Sequence, residues 1–231
     1  MAEIEADEIS TSSQVIVRVL AIDPENKSVL STPTSVTIQN PRSTDTSSKL
    51  TYKFSLVASA PFKSTRDEIF DPIKKQLKQV LNGKNLTIYA YGQSGSGKTY
   101  TVCGNLQDPG IMPLTLEYFL QESVKITATC SFEEIELSIG YLEIYNEKIY
   151  DLLSPSKGLV ELRETAVQNS KDKEIKCVPM ISAHIKTMNE FHDLHKSALK
   201  RRKCGKTNLN ETSSRSHFIL QLLVKYIADF R

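Results

Sequence analysis

A chain of 231 residues, 39% of them hydrophobic, has enough apolar material for one large core, and with only nine glycines and nine prolines it is neither collagen-like, low-complexity nor fully disordered. Lys and Arg number 29 against 27 Asp and Glu, so the net charge of +2 excludes wholesale electrostatic attachment to nucleic acid or membrane, and an acidic partner has to be met by a local patch. Cys103, Cys130, Cys177 and Cys204 are too widely spaced for a zinc ligand pair or a disulfide framework and read as reduced thiols.

Residues 1–14 are acidic and hydroxyl-rich, which predicts a disordered arm and not a secretory signal. Val15 to Ile22 is almost continuously apolar and β-branched, the pattern of a central strand covered on both faces. The polar stretch 23–48 surrounds a short alternation at Ser35–Gln39, expected as edge strands or a hairpin. From Thr65 to Leu81 the residues Ile69, Phe70, Ile73, Leu77, Val80 and Leu81 recur at helical spacing, with Gly83 as the stop. Leu86 to Tyr91 reads as a buried strand and Pro113 to Val124 as a helix with Pro in its first turn. Ile135 to Tyr145 predicts a long strand, Leu159–Arg163 and Ile175–Val178 shorter ones, Asn189 to Lys203 a helix, and Phe218 to Ile227 a closing strand. Strands interleaved with helices imply an α/β fold on a mixed sheet. No run approaches the ~18 apolar residues of a membrane span, so no membrane partner is expected.

Gly92-Gln93-Ser94-Gly95-Ser96-Gly97-Lys98-Thr99 satisfies G-x-x-x-x-G-K-[ST] directly after a predicted strand. Backbone N–H groups of such a wrapped loop point at phosphate oxygens, and glycines leave room for that approach. Lys98 is placed to reach the β- and γ-phosphates, Thr99 to enter the octahedral shell of Mg²⁺, and the helix starting there to add its positive end. Hydrolysis needs a second element over the γ-phosphate. The candidate is Asn210-Glu211-Thr212-Ser213-Ser214-Arg215-Ser216-His217, which on its own also reads as a solvated loop before a strand.

These residues resemble the kinesin motor domain. Tyr89 to Thr101 is similar to its P-loop, with Ser94 where Thr is usual; Gly83-Lys84-Asn85 matches its Gly-x-Asn; Tyr141 to Glu147 with Tyr150-Asp151-Leu152-Leu153 matches its strand-and-turn signature; and Asn210 to His217 matches N-x-x-S-S-R-S-H, its switch I. The resemblance implies a P-loop NTPase fold, a central sheet with helices on both faces, over residues 15–231, truncated to roughly the N-terminal two-thirds of such a domain. It also implies ATP and Mg²⁺ as cofactors, and microtubules (tubulin) as partner in the cytoplasmic cytoskeleton, with no nucleic acid. Carried over position by position, Ser214 joins Thr99 at the metal, Ser213 and Asn210 lie by the γ-phosphate and attacking water, and Arg215 pairs with a switch II acid. Tyr100 follows the loop, and Arg18 keeps the first Arg of an adenine-side Arg-x-Arg-Pro that Leu20 and Ala21 do not complete.

No stretch reads Asp-Leu-Ala-Gly-x-Glu, the family's switch II. The implied function is the ATP-binding part of a microtubule motor, an ATPase once that motif is supplied. The alternatives are a non-catalytic nucleotide- or microtubule-binding module, or an unrelated P-loop NTPase using Asp229 or Asp151 as its metal acid. Tyr145, Asn146 and Glu147 read as structural. His192 and His195 share a helix face but lack a third zinc ligand nearby, and Lys200-Arg201-Arg202-Lys203 reads as a solvated helix end or as a patch for an acidic tubulin surface or RNA.

Overall fold

The structure, a computed structural model, describes residues 14–19, 29–40, 42–45, 47–59, 65–129, 134–156, 158–166, 173–202 and 216–227. They form two compact units, 1–73 and 74–231. In the first, β1 (Ile16–Val19) pairs in parallel with β5 (Leu56–Ser59). A separate antiparallel meander joins β2 (Val29–Thr32), β3 (Ser35–Gln39) and β4 (Lys49–Lys53), as the polar alternation predicts. The expectation of a central β1 is corrected. Among the described residues it has one partner strand and is only half-buried, because an apolar run reports a wish for cover and not how many strands supply it. The arm at 1–14 lies outside the described residues apart from Gln14.

The predicted helix at 65–81 is present with a modification. Arg66–Phe70 forms a π-turn, closed by the Asp71 N–H donating to the Arg66 carbonyl, before α1 (Asp71–Leu81) continues regularly. Pro72 lacks the N–H that an unbroken α-helix would need there, which accounts for the widened turn. Ile69, Phe70, Ile73 and Leu77 are the buried stripe, and Gly83 closes the end through its N–H on Val80.

The second unit is built on β6 (Glu134–Tyr145). One edge carries β11 (Ser216–Ile227) over its full length, from Ser216 opposite Tyr145 to Ile227 opposite Glu134. The other edge is shared by β10 (Ala183–His184) and β7 (Lys148–Asp151), and the sheet continues to β8 (Leu159–Ala166) and β9 (Lys173–Val178), all antiparallel. Pairing on both edges satisfies the β6 backbone, and Ile139, Tyr141, Leu142 and Glu143 are all buried. Helix α3 (Ile111–Thr129) packs on β6 and touches α4 (Met188–Arg201). A capping box starts α4: the Thr187 hydroxyl accepts from the Glu190 N–H at 3.2 Å while the Glu190 carboxylate accepts from the Thr187 N–H, also at 3.2 Å. Asn146 and Glu147 both have positive φ, 49° and 62°, so they are the two-residue turn joining β6 to β7, consistent with the structural reading of this signature.

The closing strand expected at Phe218–Ile227 is present as β11, which among the described residues has no partner on its second edge. One strand expectation differs. Leu86 to Tyr91 forms no strand, and its side chains are exposed, Tyr89 at 80% and Tyr91 at 94%. Strand propensity becomes a strand only where a neighbour satisfies its N–H and C=O groups, and none of the described residues does so here.

His195 is a core residue. Its ring stacks on Phe191 at 5.6 Å, lies 5.7 Å from Tyr141 and 6.1 Å from Phe218, and desolvation, helped by His192, pushes its pKa below the usual histidine value. Among the described residues no group of three ligands could hold a metal, so the zinc reading is set aside. Because the folded ring binds its proton less readily than the unfolded one, the unfolded chain takes up more protons as pH drops. Stability is therefore expected to be full above the unfolded value of about 6.5 and to decline below it. The urea midpoint should fall between pH 7 and pH 5, and His195→Leu should flatten that slope.

Candidate functional site

The glycine loop is formed as its spacing predicts. Gly97 adopts the left-handed region at φ 82° and caps α2 (Lys98–Cys103), which turns the chain from loop into helix within one residue. A Cβ added at Gly92 would come within 2.5 Å of the Ser96 Oγ, so the Ser96 side chain would have to turn away to admit one. Between these points the Ser96 N–H donates to the Gln93 carbonyl at 3.2 Å, closing a tight turn. The Lys98 ammonium donates to the carbonyls of Gly92 at 2.8 Å and Gln93 at 2.7 Å, which holds a cation at the centre of the cradle. Thr99 is exposed beside it. A narrow loop with an ammonium at its centre and glycines where side chains would obstruct fits a di- or triphosphate, and Thr99 supplies a hard oxygen of the kind Mg²⁺ takes. Because α2 is only six residues long, the loop's N–H groups and Lys98 are better placed than a helix dipole to meet a phosphate's charge.

The short helix is tied off behind the loop. Gly104 bridges to Pro109, the Asn105 side-chain oxygen accepts from the N–H groups of Gln107 and Asp108 at 2.8 Å each, and a Cβ at Gly110 would collide with the Val102 carbonyl. Tyr100 donates its hydroxyl to Asp108 at 2.9 Å, a partner that sequence spacing did not suggest. Cys103 ends α2 half-buried, and the desolvation pushes its thiol pKa up, an effect the Arg202 guanidinium opposes. The Tyr141 phenol is likewise pushed up by burial, with Cys103 adding to it.

Of the residues singled out from sequence, Gly92 to Tyr100 come together in this loop. Arg18 lies on β1 opposite Ala58, in the other unit. Asn210, Ser213, Ser214 and Arg215 lie outside the described residues, as does Asp229. Their nearest described neighbours, Arg202 and Ser216, converge on one buried carboxylate, Glu143: Ser216 donates to its Oε1 at 2.8 Å and the Arg202 Nε lies 3.7 Å from the same oxygen. Glu143 escaped notice because its neighbours in sequence are strand hydrophobics, and only the register of β6 with β11 brings Ser216 to it.

Two alternatives are corrected. Asp151 is not an available metal acid: its Oδ1 accepts from the N–H groups of Leu153 at 2.7 Å and Ser154 at 3.3 Å, and its Oδ2 from Ile181 at 2.8 Å. The basic run at 200–203 is not simply a solvated helix end. Arg201 donates to the carbonyls of Leu152 and Leu153 at 3.1 and 3.2 Å, and Arg202 turns inward to Glu143 with its guanidinium 5.3 Å from the Phe218 ring.

Comparison with known proteins agrees with this geometry. The model of the kinesin motor domain matches residues 4–229. The chain is 38% identical over 162 residues to the kinesin-like protein KIN-8B of Arabidopsis thaliana, covering 70% of this chain and 19% of that one. It is 39% identical to human kinesin-like protein KIF19 over 71% of this chain and 16% of that one. It is 34% identical to kinesin-like protein KIP3 of Saccharomyces cerevisiae over 89% of this chain and 28% of that one. The chain thus spans less than a third of the length of these relatives. A solved KIF14 dimer in its two-heads-bound state with AMP-PNP, in complex with a microtubule, superposes with a TM-score of 0.76 at 24% identity, over 92% of this chain and 61% of that one, and the fold is therefore the kinesin P-loop NTPase fold.

The left-handed Gly97 is a direct handle on the loop. Gly97→Ala should weaken nucleoside triphosphate binding about tenfold, the equivalent of the ~1–2 kcal/mol that a Cβ costs in that conformation. Titration calorimetry reads the loss, and an unchanged far-ultraviolet circular dichroism spectrum separates it from unfolding.

Proposed function

The chain belongs to the kinesin motor-domain family, and from that premise we propose that it is the ATP-binding part of a microtubule-based motor. The observation that carries this reading is the Gly92–Thr99 loop, with its left-handed Gly97 and the Lys98 ammonium held 2.7–2.8 Å from two loop carbonyls. In this proposal the N–H groups from Gly92 to Gly97 hold phosphate oxygens and Lys98 exchanges its loop carbonyls for the β- and γ-phosphates. Thr99 and Ser214 hold Mg²⁺, which when bound offsets the charge that develops during phosphoryl transfer. Ser213 and Asn210 orient water at the γ-phosphate, and Arg215 pairs with an acidic residue of switch II. Microtubules are the partner and the microtubule cytoskeleton of the cytoplasm the location. Among the described residues no helix is long and apolar enough to cross a membrane.

A second reading is a nucleotide- or microtubule-binding module without turnover, which the same loop would serve. The two readings differ in hydrolysis.

Removing the Lys98 ammonium should cost the ~1.5–3 kcal/mol of a charged hydrogen bond, so Lys98→Ala is expected to lower affinity for a fluorescent ATP analogue about 10- to 100-fold. Undiminished binding in that variant would refute the nucleotide site. Phosphate release stimulated by microtubules selects the motor reading, and co-sedimentation without release selects the module.

A further inference from the structure

The turn between β7 and β8 carries a serine that the nucleotide site does not use. Ser154 is half-buried, Pro155 and Ser156 after it are exposed, and the Ser154 hydroxyl lies 3.2 Å from that of Ser156. The corner behind it is fixed. The Asp151 N–H donates to the Gly158 carbonyl at 3.0 Å, and the Asp151 Oδ1 accepts from the N–H groups of Leu153 and Ser154. A hydroxyl is thus presented on a rigid turn and followed by proline, which has no N–H to leave unpaired in an apolar enzyme pocket. In the sequence Lys157 stands third after it, so the stretch Ser154-Pro155-Ser156-Lys157 has the acceptor chemistry that proline-directed protein kinases read. The chain has one other hydroxyl before a proline, Thr32, which lies at the end of β2, shares a 2.7 Å hydrogen bond with Ser35, and has that uncharged serine at its third position.

A cation for the product is already in place. Arg201, in the last turn of α4, donates through Nη1 to the carbonyls of Leu152 and Leu153 at 3.1 and 3.2 Å, and the second of these belongs to the peptide bond leading into Ser154. A guanidinium has five N–H donors, and among the described residues only Nη1 is engaged. We propose that Ser154 is a phosphorylation site for a proline-directed protein kinase and that Arg201 captures the phosphate, fastening the β7–β8 turn to the end of α4. In the transfer the Ser154 Oγ forms a bond to the γ-phosphorus of ATP, the bond from that phosphorus to the β–γ bridging oxygen breaks, ADP leaves, and the hydroxyl proton passes to solvent. Two charges then compete for the phosphate. Asp151 repels it but is buried, with three N–H groups already on its oxygens; Arg201 is exposed and offers the forked donors that match a phosphate. Attraction wins. The next residue, Arg202, bonds Ser216 and faces Glu143, so the modification acts at the end of α4 that also holds β11.

The test incubates the full chain with a purified cyclin-dependent kinase, ATP and Mg²⁺, then maps the product by peptide mass spectrometry. The Ser154 peptide should gain a phosphoryl group ahead of the Thr32 peptide, and Ser154→Ala should remove most of the incorporation. Phosphorus NMR then follows the second ionisation of the phosphoserine, ordinarily near pH ~6. Capture by Arg201 puts the midpoint below that value, whereas dominance of Asp151 would put it above. Arg201→Gln, whose amide still donates to the loop carbonyls, should return the midpoint toward the ordinary value, and Arg201→Lys should keep part of the depression. No incorporation at Ser154, or a preference for Thr32, overturns the site. A midpoint that is not lowered, or that ignores Arg201→Gln, overturns the capture.

Discussion

The long antiparallel ladder between β6 and β11 decides where the chemistry of the second unit can stand. Every residue from Glu134 to Tyr145 has a partner between Ser216 and Ile227, and a slip of one position would exchange the faces of both strands. In the observed register, Phe218 stacks on Tyr141 at 5.6 Å and Ser216 reaches Glu143 at 2.8 Å. Both contacts belong to a core that also takes in His195 and Phe191 of α4. The helix and the strand on either side of the proposed γ-phosphate segment are therefore both referenced to β6, and Arg202 also donates to Ser216 at 3.4 Å.

The phosphate loop follows a different logic. It has few apolar contacts and relies on backbone geometry: a left-handed glycine, a close approach at Gly92, and a lysine folded over its own carbonyls. The loop behind α2 repeats this economy, with Asn105 satisfying two N–H groups and Asp108 receiving the Tyr100 hydroxyl. Such a loop keeps its shape with little burial, which suits a site that has to stay open to a large polar ligand.

Much of this was legible in the sequence, because the signals were local. The glycine spacing named the loop, helical periodicity located the helices near 65–81, 113–124 and 189–203, and alternation located β6 and β11. What escaped depended on partners distant in sequence. The β1 run looked central but has one neighbour among the described residues, and the run at 86–91 looked buried but is exposed. Glu143 and Arg202 looked like a strand residue and a surface cation until the register joined them. Asp151 looked available for a metal until three backbone N–H groups were found on it. The residues from Asn210 to Arg215 and Asp229 lie outside the described residues, so their roles rest on the motif they resemble.

The second edge of β11 has no ladder partner among the described residues, and Ile219 and Leu223 of that strand are exposed. An extended segment laid along that edge would complete both the hydrogen bonding and the apolar cover of the strand, whichever chain supplied it.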